Sequence, residues 1–252
     1  MKILCLLKQV PDPNAVSFGS DGRLAANTAR AVNEYDEYGL EASLQLREAG
    51  GDVEITVLSV GSSMVKDAVS RGLAMGADKG VVIASDGDQR GSLQTARAIA
   101  GFVERDGFDL IWLGQESSDS GTGNVGPQLS VLLGLPFVSN VVGFELEEGD
   151  TALVTREIED GHAQVRASLP LVLCALSGLD EPRYPSLKGI MAARRKPVEE
   201  VSIDDFDADA GDVTWSALRE EERTVSGTII DDEDPAEAAR KLVEQLRERG
   251  LV

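Results

Sequence analysis

The stretch ITVLSVGSSMVKDAVSRGLAMGADKGVVIA, residues 55–84, contains the pattern that decides the fold. It begins with an apolar run at residues 55–60 and ends with another at residues 80–84, and each has the length of a buried strand. Between them, residues 63–75 carry apolar side chains at spacings of three and four, which puts these side chains on one face of a helix. A strand, a helix and a second strand in this order form a βαβ unit with parallel strands.

The same alternation extends in both directions from this unit. Further apolar runs and helix-like stretches follow one another over the first two-thirds of the chain. The apolar runs lie at residues 3–7, 110–113 and 137–142, and the helix-like stretches lie at residues 35–49, 92–104 and 125–133. We therefore predict an α/β fold with a mostly parallel, doubly wound sheet that helices cover on both faces.

Beyond about residue 145 the pattern changes to short strands with only turns between them. These strands are predicted at residues 152–157, 163–167 and 171–176, and they indicate a small antiparallel addition to the sheet. A short helix is predicted at residues 185–195. Residues 199–212 are acidic and poor in apolar side chains, so we interpret them as a linker.

The last predicted element is a C-terminal arm helix, with Asp234 as its N-cap and Pro235 at its first position. Its apolar face cannot be buried on the helix itself and must dock on this domain or on another chain; it consists of Ala238, Ala239, Leu242, Val243 and Leu246. We therefore divide the chain into an α/β domain with its antiparallel extension, residues 1–198, and an acidic linker with the arm helix, residues 199–252.

Composition excludes several classes of function. The chain has 252 residues, with 24 Lys and Arg against 44 Asp and Glu, and a formal net charge of −20. Nucleic-acid binding relies on basic patches, so we expect no nucleic-acid partner. Self-repulsion of this size is relieved by salt, which leads us to expect a halophilic organism. Without a membrane-length apolar run or a signal-peptide pattern at its start, the protein is predicted to be cytoplasmic and not inserted in a membrane.

Cysteine and histidine are too few for most catalytic or metal sites. Cys5 and Cys174 lie inside apolar runs, and we interpret them as small core residues. His162, the only histidine, follows Gly161 in a polar turn. A zinc site needs more ligands, and a Ser-His-Asp triad needs a histidine beside a serine elbow. We predict no metal site and no catalytic residues.

The strongest candidate for a ligand site is the loop after the strand at residues 110–113. This loop, residues 114–127, reads GQESSDSGTGNVGP and leads into a predicted helix. Ligands of parallel sheets bind beyond the carboxyl ends of the strands, glycines allow close backbone approach, and free amides at a helix start suit a phosphate. The alternative is a flexible loop capped by Asn124 or Thr122. Because Walker-type and Gly-x-Gly-x-x-Gly patterns are absent after the first strand, we expect a nucleotide to be held rather than hydrolysed.

Several stretches, in order over nearly the whole chain, resemble the β subunit of electron-transfer flavoproteins. They are residues 8–12, 33–42, 72–78, 114–127, Arg156-Glu157-Ile158 and residues 180–197. The resemblance implies an adenine-nucleotide α-hydrolase-like sheet and a heterodimer with an α subunit that carries FAD. It further implies electron transfer from acyl-CoA or other dehydrogenases to a quinone oxidoreductase, with AMP or a second FAD in the β subunit and no catalytic residues of its own.

The resemblance also implies positions for the nucleotide pocket. They are Leu6, Asn33, Glu34, Tyr35, Asp36, Val60, Gly114, Gln115, Ser117, Asp119, Ser120, Gly121, Thr122, Gly123, Asn124 and Val125. Asp119 holds the place of the family's most regular loop carboxylate. The family's second acid is replaced by Gly121, and the ending Val125-Gly126-Pro127 is similar to the bifurcating or nitrogen-fixation-associated branch. AMP and FAD both stay open.

For partner binding, the resemblance implies Glu157 as a contact to the α subunit and Leu179 as an apolar anchor for dehydrogenases. The adjoining positions are Asp180, Glu181, Pro182, Arg183 and Tyr184. Two other functions fit a similar sheet: a stand-alone adenine-nucleotide sensor of the universal-stress type, and an ATP-dependent ligase or pyrophosphatase. The part of the chain after residue 145 disfavours the first alternative, and the missing phosphate loop after the first strand disfavours the second.

Overall fold

The computed structural model describes residues 1–85, 91–147, 149–208, 213 and 227–252. The chain forms two compact units, Met1–Leu218 and Arg219–Val252. The strands of the first unit are β1 Lys2–Leu6, β2 Gln9–Pro11, β3 Arg30–Val32, β4 Glu54–Gly61, β5 Lys79–Ala84, β6 Leu110–Gly114, β7 Phe137–Glu147, β8 Thr151–Ile158, β9 Gly161–Ser168, β10 Leu171–Ala175 and β11 Val198–Ser202. Its α-helices are α1 Glu34–Glu48, α2 Lys66–Met75, α3 Ser92–Asp106, α4 Val125–Leu133 and α5 Leu187–Ala193, and the second unit contains α6 Pro235–Glu248.

The predicted α/β fold with a mostly parallel sheet is confirmed. Nine strands form one sheet in the order β11-β5-β4-β1-β6-β10-β7-β8-β9, and β2 and β3 form a separate antiparallel pair. All neighbours from β11 to β7 pair in parallel, whereas β8 and β9 extend the sheet antiparallel. The chain leaves β1 toward β4 on one side and later reaches β6 on the other. The switch point of the sheet, where ligands of such folds bind, therefore lies between β1 and β6.

Two apolar layers cover the parallel strands, and β1 contributes to both. Ile3 and Cys5 pack with residues of α1 and α2, whereas Leu4 and Leu6 pack with residues of α3 and α4. Successive side chains of a strand point to opposite faces, so a strand buried on both faces must be apolar throughout. Both cysteines are free and buried, which confirms their interpretation as core residues.

The assignment of residues 171–176 to the antiparallel addition is wrong. β10 inserts between β6 and β7 and pairs in parallel with both. All five of its residues are buried. The reason is visible in its sequence, LVLCA, because a continuous apolar run fits a central strand better than the alternating pattern of an edge hairpin.

The linker predicted over residues 199–212 is wrong for its first part. Val198–Ser202 is β11, which pairs in parallel with β5 at the edge of the sheet, and a 3₁₀ turn follows at Ile203–Asp205. Edge strands tolerate charged residues, and the two glutamates of VEEVS are consistent with that position. Residues 209–212 lie outside the described residues.

The C-terminal helix has the predicted start and stop. The Asp234 side chain accepts a hydrogen bond from Ala236 N at 2.9 Å, and Pro235 occupies the first turn. Gly250 follows the helix with φ +67°, the left-handed conformation that ends helices. No residue of α6 is buried, and Leu242 and Val243 are 49% and 42% exposed. Within the described residues, no helix combines the length and hydropathy needed to cross a membrane.

Candidate functional site

A cavity of about 890 Å³ opens at the carboxyl ends of β1, β4 and β6. Most of the predicted nucleotide positions line it, namely Leu6, Asn33, Asp36, Val60, Gly114, Gln115, Ser117, Asp119, Ser120, Thr122, Gly123, Asn124 and Val125. Three predicted positions are not on its wall. Glu34 is exposed at the start of α1, Tyr35 packs against the core, and Gly121 is exposed in the loop.

Asp36 joins the ends of β1 and β6 at the switch point. Its Oδ2 accepts a hydrogen bond from Lys8 N at 2.6 Å, and its Oδ1 accepts one from Gly114 N at 2.8 Å. Burial raises the pKa of Asp36 to about 6, although these hydrogen bonds and one from Asn33 favour the charged form. A Cβ at Gly114 would lie 2.4 Å from Asp36 Oδ1, so this approach requires glycine. Asp36 therefore fixes the floor of the cavity.

Asn33 fastens the loop after β6 to the start of α1. Its Nδ2 donates to the carbonyl oxygen of Glu116 at 2.8 Å, and its Oδ1 accepts from Ser118 N at 3.1 Å. The same amide also donates to Asp36 Oδ1 at 3.2 Å. Because Asn33 is only 3% exposed, these bonds are shielded from water, and the loop is held by a rigid partner.

Gln115 ties the beginning of the same loop to the two strands beyond β6. Its backbone N donates to the carbonyl oxygen of Ala175 in β10 at 2.8 Å. Its side-chain Oε1 accepts from Asn140 N in β7 at 2.8 Å, where Asn140 has φ +56°. The loop is therefore supported by α1 on one side and by β7 and β10 on the other.

The centre of the loop is a compact hydroxyl and carboxylate turn. The carbonyl oxygen of Ser117 accepts a hydrogen bond from Gly121 N at 2.7 Å, and the hydroxyl Oγ of Ser117 donates to Asp119 Oδ1 at 2.7 Å. From the end of the neighbouring strand β1, Lys8 Nζ donates to Asp119 Oδ1 at 2.6 Å and to Ser117 Oγ at 2.9 Å. The loop carboxylate is thus paired with a lysine at the end of β1.

The start of α4 lies at the cavity with its first amides free of side-chain caps among the described residues. Asn124 occupies the N-cap position but makes no capping hydrogen bond, so the capped-loop alternative is not what the structure has at this residue. Val125 and Gly126 line the cavity, and the first amides of a helix point toward its N-terminal end. A Cβ at Gly126 would lie 2.4 Å from Cys174 Sγ, so glycine lets α4 pack closely on β10.

Several lining residues were not predicted as site residues, and they come from three places in the chain. Lys8 follows β1, Arg23 and Arg30 belong to the excursion that contains β3, and Gly91, Ser92 and Thr95 lie at the start of α3. The proximity of residues 23–30 to the cavity depends on the pairing of β2 with β3 and on a bridge between Phe18 and Leu24. No local sequence signal indicates those contacts, whereas Lys8 could have been found from its position at a strand end.

The cavity wall has as many basic as acidic side chains, in a chain with 24 basic and 44 acidic residues. Lys8, Arg23 and Arg30 line it together with Glu116 and Asp119 and the buried Asp36. The carboxylate oxygens of Asp36 accept hydrogen bonds from uncharged backbone N–H groups, and Asp119 forms an ion pair with Lys8. Glycine backbone, helix-start amides and cations in one cavity can hold an anionic, nucleotide-sized ligand.

The predicted partner segment is anchored through Arg183. Its Nε and Nη2 each donate to a carboxylate oxygen of Glu41 at 2.8 Å, and its Nη1 and Nη2 donate to Glu48. Burial disfavours the ionised form of Glu41, which is 3% exposed, but the bonds from Arg183 outweigh burial and lower its pKa. Arg183 therefore binds α1 of its own chain, a contact that the sequence reasoning missed.

The other predicted partner residues differ in exposure. Glu157 is exposed in β8 opposite His162 of β9, and Asp180 and Glu181 are exposed, whereas Pro182 is partly buried. Leu179 is partly buried and packs against the core, which leaves little of it for an anchor. Tyr184 is 88% exposed, and the apolar surface continues into α5, where Leu187 is 75% exposed and Met191 is 62% exposed.

Comparisons with known proteins agree with this architecture. The family model described as "Electron transfer flavoprotein domain" matches residues 21–206. The chain is 34% identical to the electron transfer flavoprotein subunit beta of Bacillus subtilis (strain 168), over 100% of both chains. It is 32% identical to the subunit beta of Megasphaera elsdenii over 99% of this chain and 97% of that one. It is 37% identical to the subunit beta of Syntrophomonas wolfei over 79% of this chain and 78% of that one.

Proposed function

Because this chain belongs to the electron transfer flavoprotein family, with the β subunits as its relatives, we propose that it is the nucleotide-holding β subunit of a two-chain electron carrier. Its partner is an electron transfer flavoprotein α subunit, and the pair shares an FAD. The carrier accepts electrons from acyl-CoA or other dehydrogenases and delivers them to a quinone oxidoreductase. The chain itself needs no catalytic residue for this task.

The observation that carries the proposal is the cavity at the switch point between β1 and β6. Residues carried over from the family resemblance converge on one space of about 890 Å³, although they are dispersed from Leu6 to Val125 in the chain. A volume of this size lies in the usual range of small-molecule sites. The donors around it are the ones that hold phosphate groups, namely helix-start amides and a lysine.

The described residues fit an adenine nucleotide. Leu6, Leu58 and Val60 provide apolar surface for a base, and the loop from Gly114 to Val125 provides backbone donors and small side chains for the sugar and phosphate. AMP would contribute no redox chemistry, whereas a bound FAD would supply reversible electron transfer. In either case this chain holds the ligand, orients it and shields it from water. We propose both ligands as candidates for the cavity.

Two surfaces are proposed for protein partners. The arm helix α6 carries the exposed apolar residues Leu242 and Val243, and we assign it to the α subunit. The segment Leu179–Tyr184 with Glu157 remains the proposed contact region for the α subunit and dehydrogenases. The exposed apolar residues of α5, Leu187 and Met191, extend this region. We also propose a cytoplasmic location and a high-salt habitat, from the acidic composition and the two free cysteines.

The decisive experiment is to produce the chain together with an electron transfer flavoprotein α subunit of the same organism and to count the nucleotides released on denaturation. A yellow two-chain complex that releases one FAD and one AMP supports a simple carrier. Two FAD and no AMP support a second flavin in the cavity. A single chain that carries adenine nucleotide without flavin or partner would instead support the stand-alone nucleotide sensor, and would refute the carrier proposal.

A further inference from the structure

The backbone of Lys8 is fixed at the rim of the cavity. Its N–H donates to Asp36 Oδ2 at 2.6 Å, and its carbonyl oxygen accepts from Asn33 N at 2.9 Å. Both partners are buried, since Asp36 is 6% exposed and Asn33 is 3% exposed. The lysine therefore leaves the end of β1 in a defined place, and only its side chain remains free to adapt to a ligand.

The ammonium group is positioned by the loop after the neighbouring strand β6. Lys8 Nζ donates to Asp119 Oδ1 at 2.6 Å and to Ser117 Oγ at 2.9 Å. Ser117 Oγ in turn donates to Asp119 Oδ1 at 2.7 Å, and the hydroxyls of Ser117 and Ser120 are 2.9 Å apart. These bonds form one connected network, which holds the lysine charge at the wall of the cavity.

A lysine ammonium has three N–H donors and no acceptor. Two of the donors of Lys8 have acceptors within the parts of the chain that the structure describes, Ser117 and Asp119. One donor therefore remains for a ligand. The side chain is 45% exposed and lines the cavity, so a ligand can reach it.

The ligand group that matches this donor is a phosphate. The loop that holds Lys8 continues into the first turn of α4, where Val125 and Gly126 line the same cavity. Helix-start amides and a lysine charge favour the same kind of group, an anion with several acceptor oxygens. On the premise of the proposed function, we propose that Lys8 binds the phosphate attached to the adenosine part of the ligand, in AMP or in FAD, and that Asp119 and Ser117 position it.

Removing the charge of Lys8 has two effects in the same direction. The phosphate loses a charge-assisted hydrogen bond, and the carboxylate of Asp119 loses its cationic partner and then repels the phosphate. Adenosine lacks the phosphate and is indifferent to both effects. The ratio of the adenosine Kd to the AMP Kd therefore reports the role of Lys8 and separates it from the general shape of the cavity.

The test uses the full-length chain, freed of co-purified nucleotide, and calorimetric titration with AMP, adenosine and FAD at constant ionic strength. Lys8→Met is expected to weaken AMP about 10-fold or more and to leave adenosine within about 2-fold. Lys8→Arg keeps the charge and should retain most of the preference for AMP. Lys79→Met is the matched control, because Lys79 is also ion-paired, with Glu199 at 3.0 Å, but lies at the amino end of β5, away from the cavity.

The outcomes separate this inference from the proposed function. If the unmodified chain binds none of the three ligands, the nucleotide-holding function itself fails. If it prefers AMP to adenosine and Lys8→Met keeps that preference, only the role of Lys8 is overturned. Equal weakening of AMP and adenosine would mean that Lys8 merely shapes the loop, which also overturns it. Loss of FAD binding in parallel with AMP would assign the lysine to the phosphate that both ligands share, whereas loss of AMP binding alone would limit the inference to AMP.

Discussion

Two buried carboxylates, Asp36 and Glu41, have pKa values shifted in opposite directions, although burial favours the protonated form of both. Burial raises the pKa of Asp36 to about 6, and the N–H groups that it binds are uncharged. Burial also disfavours the charged form of Glu41, but the guanidinium of Arg183 outweighs it and lowers the pKa. A charged donor compensates the desolvation of a carboxylate, and neutral donors compensate it only in part.

The first prediction concerns the pH dependence of stability. The folded pKa of Asp36, about 6, lies above its ordinary value of 3.8, so the folded protein holds this proton more tightly than the unfolded chain. The stabilising contribution of the proton is present below pH 4 and is lost as pH rises through about 6. We expect the free energy of unfolding of the unmodified protein, relative to Asp36→Asn, to fall as the pH rises from about 4 to about 6. Urea unfolding at several pH values measures it, and parallel pH curves for the two proteins would contradict it.

The second prediction compares two arginines that bind carboxylates. Arg183→Met leaves the buried Glu41 without its cation, and we expect a loss of about 2 kcal/mol in the free energy of unfolding at pH 7. Arg166→Met removes a pair with Glu147 in which the arginine side chain is 66% exposed, and we expect a much smaller loss because water screens such surface pairs. Denaturant unfolding gives both values. Equal losses in the two variants would show that burial of Glu41 has no effect.

At the scale of elements, α4 was predicted with the boundaries that it has, Val125–Leu133, because a polar glycine-rich loop precedes it and Gly134 follows it with φ +65°. β10 and β11 were misjudged for one shared reason. Whether a short apolar run joins the middle of a sheet, its edge or no sheet depends on strands that are distant in the sequence. These strands are β6 and β7 for β10, and β5 for β11, and local periodicity contains no information on them.

The third prediction follows from the close packing of α4 on β10. A Cβ at position 126 would lie 2.4 Å from Cys174 Sγ, so Gly126→Ala should push the helix away from the strand. We expect a loss of about 1–3 kcal/mol in the free energy of unfolding, despite the better helix propensity of alanine. Cys174→Ala in the same chain should restore part of this loss, since it removes the clashing sulfur.

The control for that substitution is Gly227→Ala, because a Cβ there meets no atom within 4 Å among the described residues. It should change the free energy of unfolding by less than about 0.5 kcal/mol. Thermal and denaturant unfolding of the three variants and the unmodified protein give the comparison. A Gly126→Ala protein as stable as the Gly227→Ala protein would contradict the packing argument.

At the scale of the whole molecule, the sequence predicted one side of the site better than the other. The loop from Gly114 to Val125 is contiguous, and its small polar residues identify it without a structure. Arg23 and Arg30 reach the cavity only through the pairing of β2 with β3. Glu34 and Tyr35 were included with Asn33 and Asp36, but the helical periodicity of α1 places only Asn33 and Asp36, three residues apart, on the wall.

The fourth prediction concerns salt. With a formal net charge of −20, the folded chain repels itself more than the expanded chain does, and added salt screens this repulsion. We expect the Tm to rise by at least about 4 °C between 0.1 M and 2 M KCl, which corresponds to roughly 1 kcal/mol or more for a chain of this size. Calorimetry measures it. A Tm that stays constant or falls would show that screening of the many ion pairs outweighs the net repulsion.

The position of β10 has a consequence for how the protein is made. The ribosome releases β6, β7, β8 and β9 before β10, yet β10 separates β6 from β7 in the finished sheet. Until residue 175 has emerged, the backbone of Gln115 has no carbonyl of Ala175 to bind. One of the supports of the loop after β6 therefore forms only when some sixty further residues have been made, the difference between positions 175 and 115. A nascent or truncated chain that ends before residue 175 has the loop sequence without this bond.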